Sequence, residues 1–506
     1  MGNKINMYDV VVIGCGHAGI EAANAADKLA KIAIVVVDQN DVGRLACNPS
    51  IGGLTKSQLV CELTSLGGVM GELADKSATH IDILNTSKGR AVRSLRIQVD
   101  RKTYHNLSLE ILKKLSVIYD EVVDIIHLTD KILLKLASGS ELLTKAVVVA
   151  TGTFGRATCH IGKCVVPVGS PFTKRQNCIL NLFKKYGVRY KRFRTSTPPR
   201  LIKNSINLKY TCPMPSMVPL YGFSRKLTSF INRLYCFSLH TNEETYRILK
   251  DNAIYSSTQM GISLGAGSKH CAPIESRIIN SNRKYQRLII EPEGFDEETV
   301  YLNGAFTSLP VEVQIEMLRT IPAFKNVQIA KFGYGVEYDV ICSGEVDASL
   351  QLRNIPGIFM AGQICGSTGY EEAAAQGWLA GVNAAMYSKS LPVYKLNKLY
   401  SYFGLLMHDL SRRGLRTPYR ISSARTPTRN KLRQRNAILR MLPLALATTS
   451  TKERKQVIWA DFVKKFKILM EPNAKYKIDS SKFKLNSDHK LIKLVQMYNT
   501  CNKYKC

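Results

Sequence analysis

The chain has 506 residues, 45% of them hydrophobic and 22% charged, proportions that fit a globular protein of two or three domains and exclude a disordered or fibrous one. No apolar run approaches the ~20 residues that span a bilayer, and "MGNKINMYDVVVIG" leads into a strand-like run without the layout of a signal peptide, so a cytoplasmic location is expected. Seventy-one Lys and Arg against 39 Asp and Glu give a net charge of +32, which points to a polyanionic partner.

The first segment, "YDVVVIGCGHAGIEAANAADKLAKIAIVVVD", reads as strand, tight turn, helix, strand. Val10 to Ile13 form the β-branched run of a buried parallel strand. The alanine-rich segment 20–30 favours helix, and the next apolar run, Ile32 to Val37, ends at Asp38. Gly14, Gly16 and Gly19 place G-x-G-x-x-G between strand and helix, where small residues let a pyrophosphate approach a helix N-terminus. Cys15, His17 and Ala18 lie inside this loop. Asp38 stands where a ribose partner or a turn residue is expected.

"LACNPSIGG" follows at 45–53. Pro49, Gly52 and Gly53 force an irregular backbone, so Cys47 is expected on a shaped loop. The other cysteines are scattered, thirteen in all with no C-x-x-C pair, which argues against a disulfide framework and against zinc. Most read as small buried hydrophobes.

Two further apolar runs, 145–155 and 357–366, end in glycine, the second followed by the Gly- and Ala-rich "GYEEAAAQGWLAGVNAA". Ligands bind outside such carboxyl ends in open α/β sheets. The expected fold is therefore α/β, with a discontinuous Rossmann-like domain at 1–198 and 285–395, an α+β insertion at 199–284, and a basic, mostly helical C-terminal domain at 396–506. From 401 onward 24 basic residues face 6 acidic ones, and 411–440 carries ten basic residues and no acid, so a nucleic-acid surface is expected there.

The motifs "GCGHAG", "CNPSIGG", "LNTSKGRAVRSLRIQVDR", "TSTPPR", "HTNEET", "HCAPIE", "EPEG", "TSLP" and "AGQICGSTGYEEAAAQG", in this order, resemble the MnmG/GidA family. That resemblance implies an FAD enzyme that uses NADH and methylenetetrahydrofolate. It implies addition of an aminomethyl or carboxymethylaminomethyl group to C5 of the wobble uridine of tRNA. It further implies a homodimer and an MnmE-like GTPase partner. By resemblance, Cys47 and Cys271 are catalytic, with Lys269 and His270 beside Cys271 able to stabilise a thiolate. Which cysteine attacks stays open. Gly14–Gly19, Val122, Ser170 and Gln363 correspond to flavin contacts. Gly267, Lys269, His270, Cys271, Ile274 and Glu275 fall in the NAD segment. Lys88, Arg96 and Arg101 fit a phosphate surface, as do Arg425, Arg429, Arg433 and Arg440.

The chain departs from the family pattern at Cys15, at Arg90, and in "SSARTPTRNKLRQRNAILRM", where the family's acids are gone. It is also shorter at its end than the family's helical domain, which bears on the GTPase contact. Competing readings are a TrmFO-like folate- and FAD-dependent tRNA uracil methyltransferase and a non-catalytic tRNA-binding remnant. A flavin disulfide reductase is disfavoured, because no cysteine pair lies near the flavin loop.

Overall fold

The computed structural model describes residues 6–153, 156–168, 177–217, 222–224, 234–281, 284–412 and 414–449, together with 455, 456, 458, 460 and 462. Ser170 and the Lys-rich segment beyond 462 lie outside the described residues.

The first apolar runs form one sheet, as their β-branched composition demands. β1 (Asn6–Ile13) pairs in parallel with β2 (Ile32–Val36) on one side and with Glu141–Val149 on the other. Ile358–Met360 adds in parallel to Glu141–Val149, so the strands expected from the two glycine-ended runs share this sheet. An antiparallel hairpin, Val122–His127 with Ile132–Leu136, extends the far edge. Between β1 and β2 runs α1 (His17–Asp27). The Gly- and Ala-rich helix Tyr370–Ser388 lies across it at unusually close range. A Cβ on Gly377 would sit 2.0 Å from the Ala18 carbonyl oxygen, and one on Gly381 would sit 2.2 Å from that of Ala22. Only Gly against Ala permits this approach, which explains the small residues of both helices.

A second sheet, with its own core, is built from Arg200–Ile202, Cys212–Met214, Cys236–His240, Arg287–Pro292, Thr299–Asn303 and Ile329–Lys331. The boundary drawn at 284 therefore runs through this unit. Strands 287–292 and 299–303 pair with the segments on its other side. The sequence shows no break at 331, because the chain leaves this unit only to re-enter a third sheet at Gly335–Ile341.

The described part of 396–449 packs on the first core. Tyr402, Phe403, Leu405, Leu406 and Met407 are buried there, and the helices Tyr402–Arg412 and Ala437–Ala447 lie against the helix Lys56–Ser65. Among the described residues, no helix is long and apolar enough to cross a membrane.

Candidate cofactor and thiol site

The glycines of the first loop have separate duties. Gly14 lies at φ +105°, with its main chain against Ala150, and a Cβ on Gly19 would collide with the Gly14 carbonyl oxygen. These two make the turn. Gly16 is the N-cap of α1, with no side-chain cap, and a Cβ there would meet nothing within 4 Å. The open helix end thus faces free space at the carboxyl ends of β1 and its neighbours, a setting suited to a phosphate. Cys15 is buried, its thiol is pushed up to about 12, and its sulfur faces the Asp38 carbonyl, so it behaves as packing. The Asp38 carboxylate accepts from the Asn40 amide at 2.8 Å, as a turn residue does.

His17 is buried, with Nε2 lacking a hydrogen-bond partner, and burial pushes its imidazole down to about 4. It is neutral at physiological pH. Its ring stacks on Tyr370 at 4.6 Å. The Tyr370 hydroxyl in turn accepts the Cys47 amide at 2.6 Å. One aromatic step therefore links the glycine loop to the cysteine loop.

The Cys47 loop is clamped by charge. Arg200, closing "TSTPPR", donates to the carbonyls of Ala46 and Cys47 at 3.2 and 3.1 Å. Arg101 donates to those of Leu45 and Cys47. Both guanidiniums pair with Glu293. Glu291, the other acid of "EPEG", pairs with Arg96 at 2.7 Å. Gly52 and Gly53 continue the loop at φ +95° and +104°, and the Gly52 amide donates to Glu371, which is paired with Lys56. The Cys47 sulfur rests 3.1 Å from the Tyr301 hydroxyl. Burial pushes this thiol above its ordinary value, and the nearby Cys271 sulfur adds to that effect.

Cys271, far away along the chain, thus lies near enough for its charge to act on Cys47. Cys271 follows a turn in which the Ser268 hydroxyl accepts the amides of His270 and Cys271. The Arg420 guanidinium lies near enough to its sulfur to interact with it electrostatically. Lys269 is exposed beside it, and partial burial and the positive charge of Arg420 push the His270 imidazole down. Of the NAD segment, Gly267 pairs beside Arg194 in a strand. Ile274 is buried in the second core, and Glu275 is buried against the Ser308 amide with its carboxyl pushed up to about 7. The side chains of these two support the turn from below. Gln363 accepts from Thr153 beside the glycine-ended strands. Val122 is core, so only its main chain can face a ligand.

The basic residues assigned to a phosphate surface divide in two. Arg96 and Arg101 are committed to Glu291 and Glu293 as described, and Arg440 is committed to Glu62. Arg425 lies over the Tyr419 ring at 4.7 Å and 3.6 Å from Asp409. Arg433 donates to the Asn430 carbonyl. Arg429 is exposed, as are Arg416 and Lys431, while Lys88 is exposed on its loop. A single sequence cannot separate the two groups, because each buried Arg finds its acid far away in the chain. Glu62 is buried and also accepts the amides of Tyr402 and Phe403. Arg440→Ala therefore strands a carboxylate and is expected to cost about 3–5 kcal/mol. Urea unfolding of the full chain measures this, with Glu62→Gln in the same chain expected to restore part of the loss.

The chain is similar to known proteins along most of its length. A family model described as "Glucose inhibited division protein A" matches residues 9–392. A "tRNA uridine 5-carboxymethylaminomethyl modification enzyme MnmG" from Thermus thermophilus is 40% identical over 445 residues, 87% of this chain and 74% of the relative. The protein of that name from Aquifex aeolicus is 37% identical, with the same coverage. The structure of Aquifex aeolicus GidA in its form II crystal superposes with a TM-score of 0.83 at 34% identity, covering 94% of this chain and 78% of that one. Its form I crystal gives 0.84 at 32% identity, covering 97% and 87%.

Proposed function

The chain belongs to the glucose inhibited division protein A family, and from that membership we propose that it is an FAD-dependent enzyme modifying C5 of the wobble uridine in tRNA. The observation that carries the chemistry is the Cys47 sulfur 3.1 Å from the Tyr301 hydroxyl, on a loop whose amide is held by Tyr370 beside the glycine loop, with Cys271 near enough to act on it.

The residues fit FAD. The open, uncapped end of α1 at Gly16 would take the pyrophosphate, and the buried, unpartnered Nε2 of His17 leaves a polar group for a ligand to satisfy. Bound FAD supplies two-electron redox chemistry, with NADH as reductant and methylenetetrahydrofolate as the one-carbon source in this reading. The protein's own task is to activate uracil. C5 is a weak nucleophile until a sulfur adds at C6, and the C5–C6 π pair then becomes available at C5. On release, the C5–H pair re-forms the double bond, the S–C6 pair leaves with sulfur, and the proton passes to water. The Arg101–Arg200–Glu293 clamp fixes the cysteine loop so that thiol and base meet in one geometry.

A homodimer and a GTPase partner belong to the same reading, as does a cytoplasmic location. Nucleoside mass spectrometry of tRNA from cells with and without the protein tests it. A mass change at the wobble uridine is expected, and a change confined to the T loop would favour the methyltransferase reading instead. The tRNA surface is placed on the exposed cations Arg416, Arg429 and Lys431. Replacing all three by Ala is expected to weaken tRNA binding and lower the slope of log affinity against log salt by about 1 for each phosphate no longer neutralised. An unchanged slope in filter binding would remove this face from the interface.

A further inference from the structure

We infer that Lys331 seats the phosphate on the 5′ side of the uridine brought to this site. That the anion is an RNA phosphate rests on the proposed function; that a cation stands there without an acid does not.

Four strands of the second sheet place one residue each in a single row. Glu291 lies opposite Tyr301, Tyr301 opposite Arg200, and Arg200 opposite Lys331. Residues paired in this way point to the same face. The first three are already committed. Glu291 pairs with Arg96, the Tyr301 hydroxyl lies 3.1 Å from the Cys47 sulfur, and Arg200 holds Glu293 and the Cys47 carbonyl. Lys331 ends the row on the sheet's edge strand, Ile329–Lys331, where it is exposed. Its ammonium stands 5.6 Å from the centre of the Tyr334 ring. Arg44, Arg101 and Arg200 lie near enough to act on it. Those guanidiniums take the two carboxylates of the group, Asp41 and Glu293, and among the described residues no acid pairs with Lys331. The edge of the row therefore carries excess positive charge, which draws an anion.

A uracil that reaches the thiols brings its own phosphates. In a pyrimidine nucleotide in the common anti orientation, C6 is the ring atom turned toward the 5′ phosphate. A base whose C6 faces the Cys47 loop thus sends that phosphate along the sheet face. In one direction the row runs into the buried carboxylate of Glu291. In the other it reaches Lys331, two strands beyond Tyr301 and about 10 Å away at the usual strand spacing. A lysine supplies a point charge on a flexible stem, which follows a phosphate without fixing its orientation.

The test is binding of an anticodon stem-loop RNA to the full chain, followed by fluorescence anisotropy. The RNA carries either its natural phosphate or a neutral methylphosphonate on the 5′ side of the wobble uridine. In the unaltered protein the methylphosphonate is expected to weaken binding about tenfold. Lys331→Gln is expected to bind the natural RNA about tenfold more weakly and to lower the slope of log affinity against log salt by about 1. It is also expected to tell the two RNAs apart by no more than about twofold, because the partner of the missing charge is gone. Lys331→Arg is expected to keep the natural affinity. Equal losses from the methylphosphonate in both proteins, or unchanged RNA affinity in Lys331→Gln, overturn the inference. So does a Lys331→Gln protein whose defect is confined to a raised KM for methylenetetrahydrofolate, which would give the lysine to that donor's carboxylates. The binding measurement needs no turnover. Phosphate coupling in a protein that leaves the wobble uridine unmodified would sink the proposed reaction alone, and modification without the coupling would sink only the phosphate seat.

Discussion

Cys47→Ser and Cys271→Ser are each expected to abolish wobble-uridine modification, by at least about a thousandfold, while leaving flavin reduction by NADH at its original rate. Reduction of a bound flavin requires alignment of two rings and no protein nucleophile. Activating uracil C5 requires a group that can add at C6 and leave again near neutral pH, and a hydroxyl lacks that ability. The substitutions are mild for the fold. A serine at 47 can still reach the Tyr301 hydroxyl, and the loop carbonyls remain held by Arg101 and Arg200. Stopped-flow absorbance of the flavin, run beside nucleoside mass spectrometry, separates the two activities. Normal modification by Cys47→Ser would make that cysteine structural. Normal modification by both variants would remove thiol chemistry from the site, leaving the "CNPSIGG" loop to act through its backbone.

Local signals carried much of this architecture. The parallel strands 6–13, 32–36, 141–149 and 358–360 announce themselves as apolar runs ending in glycine or Asp, because burial on both faces leaves no place for polar residues. The two cysteines were legible as motif residues. Their nearness was not, since it depends on the second sheet folding back so that Tyr301 and Arg200 reach the loop at 45–47.

The basic residues show the limit most clearly. A run of arginines without acids reads as a polyanion surface, yet Arg440 neutralises Glu62, 378 residues earlier. Pairing across such a distance leaves no periodic trace. The same holds for "EPEG". Its two acids meet Arg96, Arg101 and Arg200 only in the fold.

Gly16→Val is expected to give a folded but colourless protein, and Gly19→Val a protein whose fold is markedly destabilised. Both positions belong to one motif, and the difference follows from what a side chain would meet. At Gly16 the backbone is extended at φ −70°, open to any L-residue, and a Cβ finds no protein atom within 4 Å. The fold therefore loses little, and the melting temperature is expected to stay within a few degrees. The added methyls instead fill the space before the first turn of α1, where the flavin's phosphates would lie against main-chain amides. At Gly19 a Cβ would collide with the Gly14 carbonyl oxygen, and Gly14 cannot retreat, because its own main chain lies against Ala150. The strain falls on the crossing of α1 with β1 and Glu141–Val149, at the centre of the first core, where forced overpacking costs about 1–3 kcal/mol or more. Thermal melting followed by absorbance at the flavin band of the purified proteins distinguishes the outcomes. Stoichiometric flavin retained by a soluble Gly16→Val protein would falsify the placement of the cofactor at this loop.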